Sequence, residues 1–156
     1  MLKNGDKFPA FPIETADGRT LRLPDDLAGS YGVVLFYRGS WCPYCNAQLV
    51  GFSRAYRALD ELGIKVVALS VDDKATAATL VEKHQLNFPI GHGADAMLVS
   101  ALTGAYTHDE PRYLQSTGFV LDPDGKVLTA VYSTGAIGRL VAEDVAGLVR
   151  YLKSHK

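Results

Sequence analysis

An apolar segment runs directly into a closely spaced pair of cysteines in the stretch VLFYRGSWCPYC, residues 34–45. Residues 32–37 form a continuous run of strand-forming apolar residues, which predicts a strand buried on both faces, as in a parallel sheet. Residues 47–62 then place apolar side chains every three or four positions, which predicts a helix. Cys42 and Cys45 therefore lie at a predicted junction between a strand and a helix.

The remaining patterns predict a mixed α/β fold, in which helices flank both faces of a central sheet. Residues 64–71 repeat the pattern of a buried strand, which should run parallel to the first strand after a right-handed crossover. A turn sequence at residues 122–125 joins strands 119–121 and 127–132 into a hairpin. Residues 10–22 predict a smaller N-terminal hairpin. Further helices are predicted over residues 74–84, 94–102 and 140–152.

The composition is that of an ordinary globular protein, with 156 residues, 47% of them hydrophobic and 21% charged. This size predicts one domain over residues 1–156. The 16 basic and 17 acidic residues give no broad field that would attract nucleic acid or a membrane surface. The apolar runs are too short to cross a bilayer, and no apolar leader is visible, so we expect a cytoplasmic protein. Two cysteines are too few for a secreted disulfide scaffold.

The position of the two cysteines favours reversible redox chemistry. Proline is preferred at the first helical position, so Pro43 predicts Cys42 as the N-cap and Cys45 as the third helical residue. Residues three apart are neighbours on a helix, and the pair can therefore close a disulfide. The free amides and the helix dipole at this end stabilise a thiolate. We expect Cys42 to be the exposed attacking thiol and Cys45 the shielded resolving thiol.

Two other interpretations of the cysteines are possible. They can be inert small apolar residues, or they can bind structural zinc. Zinc needs four ligands, whereas the histidines are scattered along the chain at His84, His92, His108 and His155. No phosphate-binding glycine-rich loop follows a strand, so we expect neither a metal nor an organic cofactor.

With these residues in view, the stretch 34–45 resembles the peroxiredoxin-like branch of the thioredoxin superfamily, the alkyl hydroperoxide reductase and thiol-specific antioxidant proteins. The likeness covers most of the chain and includes residues 5–11, 87–90 and 118–125. It implies a thioredoxin-like fold and a redox-active disulfide between Cys42 and Cys45.

The sequence departs from the peroxiredoxin pattern at the site. If Cys45 takes the family's peroxidatic position, which fits the spacing best, Arg38 replaces a proline and Cys42 replaces a threonine. If Cys42 takes that position, Leu35 and Gly39 stand in those places. The family's arginine should lie near residues 115–116, where the sequence is Gln-Ser, and the nearest candidate is Arg112.

Two thioredoxin features are also replaced. Thr117 stands where thioredoxins have a cis-proline opposite the cysteines. Phe36 stands where they bury a carboxylate in the strand before the motif, so the proton acceptor for the buried thiol is left unassigned.

Three neighbours of the cysteines are candidate supporting residues. Arg38 either lowers a thiol pKa or is a surface arginine paired with a carboxylate or water. Trp41 either shields the disulfide and offers a flat contact surface to a partner, or simply packs. Tyr44 matches the middle residue of the glutaredoxin motif, although the rest of the chain does not resemble that family.

The first functional hypothesis is a thiol–disulfide oxidoreductase, in which Cys42 attacks the disulfide of a partner protein and Cys45 resolves the mixed disulfide. The alternative is a thiol-dependent peroxidase that reduces hydrogen peroxide or alkyl hydroperoxides through a sulfenic acid. Either enzyme needs an external thiol reductant, a thioredoxin-like protein or a low-molecular-weight thiol. A non-enzymatic redox-sensing or binding domain is the third hypothesis. The residues do not indicate an oligomeric state.

Overall fold

The computed structural model describes residues 1–155. Five α-helices lie in this range: α1 (Pro43–Arg54), α2 (Tyr56–Glu61), α3 (Lys74–His84), α4 (Ala96–Thr103) and α5 (Ala142–Ser154). The strands of the same range are β1 (Phe11–Thr15), β2 (Thr20–Leu23), β3 (Tyr31–Phe36), β4 (Ile64–Leu69), β5 (Ile90–His92), β6 (Thr107–His108), β7 (Tyr113–Leu114), β8 (Thr117–Leu121) and β9 (Val127–Tyr132).

Seven of the strands form one mixed sheet in the order β2-β1-β5-β4-β3-β8-β9, while β6 and β7 pair separately. β3, β4 and β5 are parallel to one another. The predicted hairpins β1–β2 and β8–β9 are both present, and they join this parallel centre in antiparallel fashion. The parallel pairing of β3 with β4 confirms the prediction made for the strands on either side of the first helix.

β3 holds the two layers of the core together, since all six of its residues are buried. Successive side chains of a strand point to opposite faces. Val33 and Leu35 accordingly pack with residues of α1, α3 and α5. Val34 and Phe36 pack on the other face with residues of α4 and the N-terminal hairpin. Helices therefore cover both faces of the sheet, as the sequence predicts.

The helix after the cysteines differs from the single predicted helix over residues 47–62. It begins at Pro43 and ends at Arg54, and α2 follows after Ala55. Ala55 has ψ near 1°, far from the helical value, which interrupts the helix. The apolar stripe nevertheless continues to the buried Leu59, so the apolar pattern does not reveal the break between the two helices.

No helix within residues 1–155 has the length and apolarity needed to span a membrane.

β5 is a strand that the sequence analysis missed. Its three residues include Gly91 and His92, which do not form a strand pattern. It lies between β4 and β1 and so attaches the N-terminal hairpin to the parallel strands. A Cβ at Gly91 would lie 2.8 Å from Leu69 Cδ1 and 3.3 Å from the Ala68 carbonyl oxygen, so this close approach requires glycine.

We predict that the aromatic cluster around Phe119 is the most sensitive part of the second core layer. The fully buried Phe119 ring lies 5.2 Å from Phe8, 5.6 Å from Phe36 and 5.6 Å from Tyr132, measured between centroids. Phe119→Ala should lower the free energy of unfolding by about 3–5 kcal/mol in chemical denaturation, because it leaves a cavity. Phe119→Leu, which fills most of the space, should lose less; equal losses for the two variants would contradict this packing.

Candidate active site

Cys42 is the N-cap of α1, as Pro43 predicts. Its backbone is extended (φ −91°, ψ 113°), and its Sγ accepts a hydrogen bond from the Cys45 amide at 3.3 Å. Pro43, with no amide hydrogen, occupies the start of the helix without losing a hydrogen bond. The sulfur therefore sits against the positive end of the helix, where a thiolate is stabilised.

The two cysteines are reduced and in direct contact. The Cys45 thiol donates to Cys42 Sγ, with 2.6 Å between the sulfurs. Cys45 Sγ in turn accepts a hydrogen bond from the Arg38 amide at 3.3 Å. Since a disulfide bond is about 2.05 Å long, the pair can be oxidised with little movement of the backbone.

Arg38 extends its guanidinium group over the site. Nη1 lies 3.9 Å from Cys42 Sγ, Nε donates to Gln115 Oε1 at 3.1 Å, and Nη2 donates to the Tyr113 hydroxyl at 3.0 Å. The guanidinium carbon also lies 5.0 Å from the centre of the Trp41 ring. These contacts support the first of the two interpretations of Arg38, a cation placed beside a thiol.

Arg139 is a functional residue that the sequence analysis missed. Its Nη2 donates to Cys45 Sγ at 3.0 Å and lies 3.8 Å from Cys42 Sγ. Nη1 donates to Gln48 Oε1 at 2.6 Å, and Nε donates to the Ala136 carbonyl at 2.7 Å. Arg139 lies on the loop between β9 and α5, more than 90 residues after the cysteines in the sequence. No local sequence motif marks it.

The candidate proposed for the family's arginine, Arg112, is wrong. Arg112 is exposed and lies 3.6 Å from Asp109, and its Nη1 contacts the sulfur of Met97 at 2.8 Å. The segment near residue 115 instead provides Gln115, which holds Arg38 in place. The cations at the cysteines are Arg38 and Arg139, and Arg139 comes from the loop between β9 and α5.

The surroundings separate the pKa values of the two thiols. Burial tends to raise the pKa of Cys42, but hydrogen bonds from Cys45 and Arg38 and the charge of Arg139 outweigh it and bring that pKa below its ordinary value. Burial and the hydrogen bond to Cys42 raise the pKa of Cys45. Cys42 is therefore the more acidic thiol of the pair and Cys45 the less acidic one.

The expectation of an exposed Cys42 is wrong, because both cysteines have no exposed surface. As the N-cap, Cys42 turns its sulfur inward to the helix amides, and the two arginine side chains complete its surroundings. Cys45 was expected to be shielded from solvent, and it is buried as predicted. A molecule from solvent therefore reaches the Cys42 sulfur only after a neighbouring side chain moves.

The other candidate residues differ in how they relate to the sulfurs. Trp41 and Tyr44 are 54% and 56% exposed beside the motif, so Trp41 offers a surface as well as packing edge-on against Tyr113. Gly39 permits this position, since a Cβ there would collide with the Trp41 ring. Thr117 is buried opposite Phe36, and its hydroxyl donates to the Gln115 carbonyl instead of to a cysteine.

In the described part of the chain, no group of three or more His, Cys, Asp or Glu side chains is arranged to hold a metal ion.

Residues 4–130 match the AhpC/TSA family. A Mycobacterium tuberculosis (strain H37Rv) protein that bears the name putative peroxiredoxin Rv2521 is 32% identical over 145 residues, which cover 89% of this chain and 90% of the relative. The thiol-disulfide oxidoreductase ResA of Bacillus subtilis is 25% identical over 150 residues, which cover 96% of this chain and 77% of that protein. The crystal structure of peroxidoxin BcpB from Mycobacterium tuberculosis has the same fold, with a TM-score of 0.84 at 22% identity over 97% of this chain and 99% of the other.

We predict that Arg139 lowers the pKa of Cys42. In a Cys45→Ser background, where Cys42 titrates alone, Arg139→Met should raise the Cys42 pKa, because a cation beside the sulfur is lost. Thiolate absorbance measured against pH reports this change. Arg150→Met, at an exposed position of α5, is the matched control. A Cys42 pKa that is unchanged by Arg139→Met, or shifted equally by both substitutions, would exclude this role.

Proposed function

Because the chain belongs to the AhpC/TSA family, we propose that it is a thiol-dependent peroxidase, which reduces hydrogen peroxide or alkyl hydroperoxides with Cys42 and Cys45. The observation that carries this proposal is the pair of sulfurs 2.6 Å apart at the start of α1, with the guanidinium groups of Arg38 and Arg139 beside them. Members of this family are oxidoreductase enzymes, so the non-enzymatic hypothesis is set aside.

In the first step, the Cys42 thiolate attacks the terminal oxygen of the hydroperoxide. A sulfur–oxygen bond forms as the oxygen–oxygen bond breaks, and the electron pair leaves on the alkoxide or hydroxide, which takes up a proton. Cys42 is thereby oxidised to a sulfenic acid. Arg38 and Arg139 stabilise the negative charge that develops on the leaving oxygen. One of these two side chains turns outward to admit the substrate, since Cys42 is sealed in the resting structure.

In the second step, the Cys45 sulfur attacks Cys42, and the hydroxyl group of the sulfenic acid leaves as water. The product is the Cys42–Cys45 disulfide. An external reductant, either a thioredoxin-like protein with two thiols or two equivalents of a low-molecular-weight thiol, then reduces the disulfide: the first thiol forms a mixed disulfide and the second displaces it as the oxidised disulfide, which leaves both protein thiols reduced. The exposed rings of Trp41 and Tyr44 are the surface on which that reductant is expected to dock.

The two arginines compensate for the residues that the family uses at this site. With Cys42 as the attacking thiol, Leu35 and Gly39 stand where the family has the proline and the threonine that hold a peroxide. Arg38 and Arg139 each bring a guanidinium group to within 4 Å of Cys42 Sγ. Charged donors aimed at the reacting oxygens supply the stabilisation that a hydroxyl group would otherwise give.

A second candidate function is thiol–disulfide exchange with a partner protein. It is favoured by the Cys-Pro-Tyr-Cys spacing with a thiolate at the N-cap and a protonated second cysteine, and by the similarity to ResA. The same two sulfurs serve both reactions. In the peroxidase reaction Cys42 breaks an oxygen–oxygen bond, whereas in the exchange reaction it breaks the disulfide bond of the partner protein.

The test is stopped-flow oxidation of the reduced protein by hydrogen peroxide and by an alkyl hydroperoxide, followed by the fluorescence of Trp41, the single tryptophan. The wild type should react much faster than free cysteine. Cys42→Ser should lower the rate by more than about 1,000-fold, because it removes the nucleophile. Cys45→Ser should react once and accumulate sulfenic acid.

A wild-type rate no greater than that of free cysteine, together with turnover in disulfide reduction, would replace the peroxidase by the second candidate. If Cys42→Ser keeps its rate and Cys45→Ser loses it, the attacking sulfur is Cys45.

A further inference from the structure

Two guanidinium groups from different parts of the chain face the same pair of sulfurs. Arg38, which follows the end of β3, places Nη1 3.9 Å from Cys42 Sγ. Arg139, on the loop before α5, places Nη2 3.8 Å from Cys42 Sγ and 3.0 Å from Cys45 Sγ. Two positive charges therefore lie within 4 Å of one sulfur atom.

No carboxylate within salt-bridge distance neutralises either guanidinium group. The two salt bridges in residues 1–155 are made by Arg19 and Arg112. The hydrogen-bond acceptors of Arg38 and Arg139 other than the sulfurs are all uncharged, namely Gln115 Oε1, the Tyr113 hydroxyl, Gln48 Oε1 and the Ala136 carbonyl. Within the described chain, the negative group that these two cations contact is thus the ionised form of a cysteine.

Oxidation removes that negative charge. In the reduced pair, an ionised Cys42 balances one of the two cations, whereas in the Cys42–Cys45 disulfide both sulfurs are neutral. The excess of positive charge at the site therefore rises from one to two when the disulfide forms. The formal net charge of the whole chain is -1, so this positive charge is local to the site.

Both guanidinium groups keep N–H donors for a ligand. A guanidinium group has five such donors in a planar arrangement that matches the two oxygens of a carboxylate. Arg38 makes three side-chain hydrogen bonds and Arg139 makes four. Both side chains are only partly buried, and the Trp41 ring beside Arg38 is exposed. A small anion from solvent can therefore contact the arginines even though the sulfurs are sealed.

We propose that the oxidised protein binds a carboxylate between Arg38 and Arg139, and that its reductant is an anionic low-molecular-weight thiol that carries this carboxylate close to its sulfur. The inference rests on the Cys42–Cys45 disulfide of the proposed function. Because both arginines lie within 4 Å of Cys42 Sγ, a carboxylate held by them brings a thiol two carbons away next to the disulfide. Charge-assisted hydrogen bonds to a carboxylate also orient the thiol.

The reduction consumes two thiols. The first thiolate attacks Cys42 Sγ, the disulfide bond breaks, and Cys45 leaves with the electron pair and takes up a proton. A second thiolate attacks the reductant's sulfur in the mixed disulfide, which releases Cys42 as a thiolate and the two reductant molecules as their own disulfide. The Cys42 thiolate restores the negative charge beside the arginines and so favours release of the carboxylate.

The experiment starts from protein already oxidised to the disulfide and uses three thiols of similar size. These are 3-mercaptopropionate, which is anionic, 2-mercaptoethanol, which is neutral, and cysteamine, which is cationic. The fluorescence of Trp41 reports the reduction. Each rate is divided by the rate of the same thiol with bis(2-hydroxyethyl) disulfide, which removes differences in thiol pKa and nucleophilicity. The variants are Arg139→Met, Arg38→Met and Arg139→Lys, and Arg150→Met at an exposed position of α5 is the matched control.

In the wild type and in Arg150→Met, the normalised rate with 3-mercaptopropionate should exceed that with cysteamine by more than about 10-fold, because the two cations attract the carboxylate and repel the ammonium group. The rate with 2-mercaptoethanol should lie between them, and added salt should reduce the ratio. Arg139→Met and Arg38→Met should each lower the ratio by at least about threefold. Arg139→Lys, which keeps the charge, should retain most of it.

Equal normalised rates for the three thiols in the wild type, or a ratio that survives both substitutions by methionine, would overturn the proposal. The wild-type ratio and its salt dependence decide the question if a variant fails to fold. Since the measurement begins with the disulfide, a protein that fails to reduce peroxides would still show the thiol preference.

Discussion

The stabilisation of negative charge on the buried Cys42 sulfur, at the start of α1, is the constraint on which the rest of the site depends. An ion without compensation is costly to bury. Here the Cys45 amide, the Cys45 thiol and two guanidinium groups surround the Cys42 sulfur. Because these groups favour the charged form, they lower the pKa of the buried Cys42 thiol in spite of its burial.

Uncharged side chains and backbone carbonyls hold the guanidinium groups of Arg38 and Arg139 in place. Arg38 donates to Gln115 and Tyr113, which precede β8, and β8 pairs with β3 directly before Arg38. Arg139 donates to Gln48 of α1, and the same glutamine donates to the carbonyl of Leu140 at 2.9 Å. None of these partners is a carboxylate, so the positive charge of both arginines is available to the sulfurs. The pairing of β3 with β8 therefore brings Arg38 together with the residues that hold its guanidinium group beside Cys42.

Local sequence signals predicted the parts of this arrangement that local forces determine. Pro43 at the first turn predicts the N-cap role of Cys42, and the apolar run before it predicts β3. The resemblance to peroxiredoxins, drawn from the same stretch, is confirmed by the family match, which favours the peroxidase alternative over the broader oxidoreductase hypothesis. Long-range features were not predictable. Arg139 reaches the sulfurs through a loop with no motif, β5 is too short to show a pattern, and the burial of Cys42 depends on side chains distant in sequence.

The central claim is that the protein separates the ionisation of two touching thiols. The most direct measurement is a titration of the wild-type protein with isotope-labelled cysteines, in which nuclear magnetic resonance follows each residue. The account predicts that Cys42 ionises below the ordinary pKa of a cysteine and Cys45 above it. The reverse order, or two cysteines that both titrate like free cysteine, would contradict it.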